Sequence, residues 1–434
     1  MPAPLQGIST AEPSKEARFR SVACPFCGLH CDDLTVRNDS QRLTIEANGC
    51  PRAAAGFEKI VPAAKPRIDG REVPLEAAVK RAAELIGDAR LPLFGGLGTD
   101  VEGMRAMMAL ADRAGGVVDH VLSAAQYRNV GVLQQRGWIM STLTETRNRA
   151  DIVVIVASDL STLHPRFVER IVSPAETMFG EPGAKRTVVL LGKGMPKSAV
   201  TGARIGEVID IDCAPADVPA VLAALRAALH DAPAATDHVG GVPVSRIASL
   251  AERFRASPYC VFVWAPQALT FDGGDLAVHI VADIVRDLNK TTRAAGLSLG
   301  GNDGIASAAS VCSWQSGYPL RVSFASGAPV FDSLRFEVRR MLADGEGDLL
   351  VWVASFGPDP APPPPTSLPT IVIGAPGIAL AGTPAVYIPV GTPGLDHSGR
   401  LVRCDNVVSL PVRKLRSLGL ASVGEVAGAI TAAL

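Results

Sequence analysis

From residue 150 onward the chain alternates short apolar runs with longer stretches of helical period. Ile152–Val156, Thr187–Leu191 and Val208–Ile211 are runs of strand length rich in β-branched residues, and an Ala/Leu helix over 217–229 follows them. A second cycle predicts a helix at 244–255, strand Val261–Trp264, helices at 275–288 and 333–343, and strand Leu349–Val353. Strand Ile371–Ile373, segment Val386–Val390 and a closing helix at 423–433 complete the series. Apolar runs without polar alternation mark strands covered on both faces, the signature of a parallel α/β sheet.

Upstream, Ala78, Ala82, Leu85 and Ile86 recur at helical spacing, a Gly-rich turn LPLFGGLGTD follows, and a second helix covers 101–114. Such turns can cradle phosphate at a helix N-terminus, but a Gly-rich turn alone is a weak signal. Between Ser21 and Ala47 the alternating segments LTVRN and RLTIEA predict a small β hairpin around a group of cysteines, and residues 1–22 read as a mobile lead-in. The run PAPPPPTSLP at 360–369 suits a stiff polyproline connector. The expected fold class is α/β, with two open, mostly parallel-sheet lobes and a small N-terminal cysteine-containing β subdomain. The expected division is 1–75 for the lead-in and four-cysteine subdomain and 76–240 for the first lobe. The second lobe takes 241–375, and 376–434 forms a C-terminal return segment and helix.

Composition narrows the function classes. The 434 residues carry 42 basic and 43 acidic side chains, a formal charge of −1, so no electrostatic footprint argues for nucleic acid or an anionic membrane. Charged residues make up only 20% of the chain and mean hydropathy is +0.23, which excludes intrinsic disorder and suits a surface partly covered by other subunits. No run reaches the roughly 20 apolar residues of a membrane span, and the first twenty residues lack the apolar core of a secretory signal. A cytoplasmic location is expected. Seven histidines, none paired at i, i+2 or i, i+4, give no zinc-hydrolase cluster, and no Ser/His/Asp or Cys/His nucleophile pattern is visible.

Four of the eight cysteines fall in CPFCGLHC and NGC, as Cys24, Cys27, Cys31 and Cys50. Four thiolates at this spacing can close tetrahedrally on iron–sulfur or structural zinc, and the spacing does not choose between them. His30, inside the loop, is a fifth candidate ligand, and Arg52 is placed to stabilise thiolate charge. Cys213, Cys260, Cys312 and Cys404 are isolated in sequence and expected as buried small hydrophobes.

The Cys-x2-Cys-x3-Cys opening, with CGLHCDDL at 27–34, NRADIVV at 148–154, HPRF at 164–167, WQSGYPLRVSF at 314–324 and GTPGLDHSGRLVRCD at 391–405, resembles the B-type subunit of formylmethanofuran dehydrogenase. That family belongs to the molybdopterin- and tungstopterin-dependent oxidoreductases. The resemblance implies their α/β fold without the C-terminal β-barrel, with a [4Fe–4S] cluster on the four cysteines. It also implies a Cys-His pair, the Cys ligating tungsten or molybdenum. Here those places fall on Ala125 and Gln126, and no cysteine occurs between 51 and 212. The pterin-phosphate turn departs as well: Ala157, Asp159 and Leu160 replace a Gly-x-Asn-Pro-like turn, while His164 and Pro165 are kept. A carboxylate at Asp159 would repel a pyrophosphate. No tungstopterin or molybdopterin is therefore expected; [4Fe–4S] or zinc at the cysteines remains open.

A kept fold without the redox centre is similar to the B-type subunit of the bacterial formyltransferase/hydrolase complex. That resemblance implies a vestigial, non-catalytic scaffold in one-carbon metabolism from formaldehyde to formate, linked to tetrahydromethanopterin and methanofuran. Its partners would be a metal-dependent formyl hydrolase, a formyltransferase and a small β-helix-like subunit in a hetero-oligomer. The alternatives are an active tungsten or molybdenum formylmethanofuran dehydrogenase subunit and an iron–sulfur electron-transfer protein. Trp314, Tyr318 and Pro319 are expected as an aromatic turn packed on a core. His164–Arg166 and His397–Arg403 are expected mainly as structural hydrogen-bonding groups.

Overall fold

The computed structural model describes residues 16–181 and 183–434. Two open α/β sheets carry the molecule. One is entirely parallel and runs in the order Ile205–Ile211, Arg186–Leu191, Ile152–Val156, Tyr259–Trp264, Arg293–Ser298. Its runs are apolar at nearly every position because both faces are covered. Val153, Ile155, Val188, Val261 and Val263 pack toward the N-terminal subdomain. Their neighbours Val154, Val156, Val189, Phe262 and Trp264 pack under helices Val218–Leu229, Val244–Ala256 and Gly274–Leu288.

The second sheet has nine strands. Its parallel centre orders Val117–Val118, Pro92–Gly98, Leu349–Ala354, Thr370–Gly374 and Val386–Pro389. Antiparallel pairs finish both edges, at 322–323 with 330–331 and at 67–68 with 71–72. Helices Leu75–Asp88, Val101–Arg113, Ile305–Ser316 and Val423–Ala433 cover one face. Asp100 caps the second of these by accepting from Gly103 N at 3.0 Å, and Ser422 with Glu425 forms a reciprocal capping box on the last.

The N-terminal subdomain is a three-stranded antiparallel sheet of Glu16–Val22, Leu34–Asp39 and Arg42–Ala47. The expected hairpin is thus present and gains a third strand from the end of what reads as a lead-in; residues 1–15 lie outside the described residues. Among the described residues no barrel follows the last strand.

The chain reaches these sheets by a different route from the expected division. Strand 152–156 pairs with 259–264, and strand 92–98 pairs with 349–354, so a boundary at 240/241 runs through both lobes. Segment 152–298 forms the parallel lobe as an insertion, and the nine-stranded sheet is assembled from 67–118 and 322–389. LPLFGGLGTD, expected as a turn, is mostly the buried strand Pro92–Gly98. Its glycines admit a ring: a Cβ on Gly95 would stand 2.9 Å from the Trp352 indole. The helix expected at 333–343 is confined to Val338–Ala343, because Asp332 accepts from Leu334 N and Arg335 N and holds a turn there.

Candidate functional site

The cysteine loop is closed by its own backbone. Cys24 N donates to Cys31 O at 2.8 Å and His30 N to Cys27 O at 3.1 Å. The His30 ring Nδ1 sits 3.0 Å from Cys24 O, so this histidine braces the loop. Cys50 caps helix Pro51–Phe57, its Sγ accepting from Ala53 N, while Arg52 donates twice to Phe26 O. Burial pushes the thiols of Cys24, Cys27 and Cys31 up, Cys27 to about 12; neighbouring cysteines add to the rise at Cys24 and Cys27. Among the described residues, no three of His, Cys, Asp or Glu are arranged to hold a metal ion. Cys27, Cys31 and Cys50 all lie close enough to Cys24 for their charges to raise it, so the fold brings the four thiols into one neighbourhood.

The loop is clamped to the parallel lobe by charge. Arg166 donates to both carboxylate oxygens of Asp33 at 2.7 and 2.8 Å, to Asn48 O at 2.7 Å, and to Glu169. Beside it Arg170 pairs with Asp32 at 2.8 Å. Arg403 grips Asp405 at 2.8 and 2.7 Å, and Asp405 in turn accepts from Leu143 N. These arginines act as structural groups, and His397 rests on Ser398 O at 3.0 Å.

Ala125 and Gln126 lie in the first turn of helix Ser123–Arg136. That helix follows the strand Val117–Val118 of the nine-stranded sheet. Both residues line a cavity of about 700 Å³ between the lobes, bounded also by Trp138, Gln267, Trp314 and Cys404. Among the described residues no charged side chain lines it. Ala125 also borders a smaller cavity of about 270 Å³, whose lining includes Asp119, Arg128 and Glu337.

Asp159 and His164 do not line the large cavity. Asp159 caps the short helix Leu160–Leu163, accepting from Ser161 N at 3.0 Å and Ser161 Oγ at 2.5 Å. Its carboxylate is thereby committed to that helix start. His164 is fully buried, its Nε2 donating to Leu299 O at 2.8 Å, and burial lowers it to about 4.

One expectation needs correction. Trp314 is 64% exposed at the cavity mouth rather than packed in a core, and only Tyr318 of that turn finds a ring, stacking on Phe331 at 5.2 Å. Cys404 is buried as expected but is not isolated in space: its N donates to Gly28 O at 3.0 Å, beside Cys27. Sequence reasoning also missed Gln267, just beyond the end of strand 259–264. The carboxyl ends of parallel strands are where such folds gather ligand groups, and that position was the available signal.

No family model matches the chain. It is 31% identical over 336 residues to the B subunit of the formyltransferase/hydrolase complex Fhc of Methylorubrum extorquens, spanning 77% of this chain and 87% of that protein. The chain belongs to this B-subunit family. The X-ray structure of the Methylorubrum extorquens complex FhcABCD with methylofuran contains a chain that superposes with a TM-score of 0.71 at 29% identity, covering 84% of this chain and 97% of that one. The B subunit of tungsten-containing formylmethanofuran dehydrogenase 2 from Methanocaldococcus jannaschii is 26% identical over 403 residues, covering 89% of this chain and 92% of that protein. The chain thus aligns over most of its length with a subunit of a tungsten-containing enzyme. Among the described residues no helix is long and apolar enough to cross a membrane.

Proposed function

We propose that this chain is an architectural, non-catalytic subunit of a formyltransferase/hydrolase complex, in one-carbon metabolism linked to tetrahydromethanopterin and methanofuran. Formyl transfer and hydrolysis belong to its sibling subunits, a formyltransferase and a metal-dependent formyl hydrolase, with a small β-helix-like subunit completing the hetero-oligomer. The fold is that of the pterin-dependent oxidoreductases without their barrel, and the role requires no tungstopterin or molybdopterin. The four-cysteine loop serves as a staple through its backbone bonds and the Arg166 clamp.

Ala125 and Gln126 carry this reading. Both border the cavity, and the sequence resemblance sets them at the places where the dehydrogenases supply a metal-ligating cysteine and a histidine. Asp159, spent on a helix cap, supports it at the pterin-phosphate turn. A second reading rests on Cys404, the one thiol bordering the cavity among the described residues: a dehydrogenase whose metal ligand has moved.

Elemental analysis of the anaerobically purified complex separates the two. Tungsten and molybdenum are expected far below one per copy of this chain, with formyl transfer intact. Either metal near one per copy overturns the architectural role.

A further inference from the structure

The large cavity has not collapsed, and its walls select a ligand. We propose that it is a binding site for an uncharged small molecule carrying a secondary amide or lactam, a proposal that does not depend on the function assigned above.

Three observations point there. Its volume of about 700 Å³ lies within the range of roughly 300–1,000 Å³ usual for small-molecule sites. The lining, unlike that of the adjoining smaller cavity, has no charged side chain among the described residues. A phosphate, carboxylate or ammonium moved into it would lose its hydration and meet no counter-charge, so ions are rejected. The third observation gives the ligand its polar groups. Gln126 Oε1, Gln267 Nε2 and Trp138 Nε1 are buried without a hydrogen-bond partner, and all three residues border this space.

Three of the six such side-chain atoms among the described residues belong to this wall, the others to His164, Ser257 and His397. Asn129, also at its border, has both ends of its amide engaged, donating to Ser298 Oγ at 2.8 Å and accepting from Trp264 Nε1 at 2.9 Å. One acceptor and two donors are left over. A secondary amide brings one N–H and one carbonyl, which match the acceptor of Gln126 and the donor of Gln267, while the Trp138 indole, packed edge-on against Trp264, stays in the wall. The terminal torsion of each glutamine is soft, so the two heads can turn from their buried positions toward an incoming amide. Around the mouth, Trp314, Met140 and Val407 are 64%, 44% and 56% exposed. They give an apolar or aromatic substituent on the amide a surface to rest on. Ala125, with a single methyl group, leaves the floor open.

The test titrates the full-length chain and the assembled complex with N-benzylformamide, following tryptophan emission from Trp138 and Trp314. Benzylammonium and benzoate serve as charged controls of similar shape. Saturable quenching by the amide alone is expected. Gln126→Leu and Gln267→Leu should each weaken it about three- to tenfold, the worth of one neutral hydrogen bond. Ala125→Phe should abolish it by filling the floor. Should that variant fail to fold, the isosteric Gln126→Glu carries the test, since its carboxylate should shift preference from the amide to benzylammonium. Absence of saturable quenching, equal binding of the charged probes, or glutamine variants without effect would overturn the site. Binding to the isolated chain that vanishes in the complex would also overturn it, because the cavity would then be a socket for a sibling subunit.

Discussion

A Cβ placed on Gly28 would stand 2.0 Å from the carbonyl oxygen of Gly300, so the cysteine loop meets the turn after strand 293–298 backbone to backbone. Asn302 Oδ1 accepts from Gly28 N at 3.2 Å and Gly28 O accepts from Cys404 N at 3.0 Å, holding the contact from both sides. Gly28→Ala forces these segments apart and is expected to cost about 3 kcal/mol, the scale of overpacking a tight core. A urea midpoint equal to that of the parent would show that the contact has slack.

Arg166 ties three separate pieces together, and its guanidinium is nearly buried while Asp33 and Glu169 remain partly wet. Arg166→Met keeps the aliphatic stem and removes the charge. The expected loss is about 2 kcal/mol, since the stranded carboxylates can rehydrate. Arg166→Lys should recover less than half of it, because one ammonium cannot span both oxygens of Asp33 and the Asn48 carbonyl. Chemical denaturation of the three proteins checks the order; equal stability of Met and Lys variants with the parent would remove the clamp from the account.

His120 and His164 are buried and neutral, and burial lowers each to about 4. The unfolded chain takes up these protons near pH 6.5, whereas the folded chain does not until about pH 4. Stability is therefore full above pH 6.5 and falls as pH drops toward 4, by at most about 1.4 kcal/mol per unit for each histidine. His120 Nδ1 accepts from Leu122 N and its Nε2 donates to Asp303 O, so protonation also breaks a bond. His164→Gln should flatten the acid limb of a melting-temperature profile between pH 6.5 and 4. An unchanged slope would assign that limb to other groups.

At the opposite end of the parallel lobe, Asp287 accepts from Arg226, His230 and Lys290. Its burial opposes ionisation, but these donors outweigh it and hold the carboxyl well below its ordinary value. The stability it supplies is present above the unfolded pKa and is lost as pH falls through the folded one. Asp287→Asn should thus destabilise at about pH 7 and converge with the parent in strong acid. Parallel stability curves down to acid pH would contradict this.

Raised thiol values make Cys24, Cys27 and Cys404 poor nucleophiles. After treatment with a chelator, iodoacetamide at about pH 7.5 should label half-buried Cys50 ahead of these three, which should react only once urea unfolds the chain. Fast native labelling of Cys27 would show an opening of the loop.

Strands 152–156 and 259–264 were legible because an uninterrupted β-branched or aromatic run admits few other structures. Strand 92–98 was not: its glycines serve the Trp352 ring, and local sequence reads them as a turn. Helix Ser123–Arg136 hid behind polar residues, and helix Ile305–Ser316 behind small residues buried on several sides, so neither shows a clean apolar stripe. The grouping of the four cysteines was readable from spacing, whereas Ala125 and Gln126 were singled out only through the family resemblance. The cavity was not readable, since Gln126, Gln267, Trp314 and Cys404 come from distant segments that only the interleaved sheets bring together.

That interleaving imposes an order of birth on the molecule. Ser355 Oγ closes on Gly98 O, a partner 257 positions earlier in the chain. As the polypeptide leaves the ribosome, strands 152–298 can complete their sheet while 92–98 still lacks its central neighbour, 349–354. For most of synthesis the first apolar strand is an unsatisfied edge, exposed to wrong pairing and in need of shelter. The inserted lobe, finished early, is the natural surface against which the late sheet then closes.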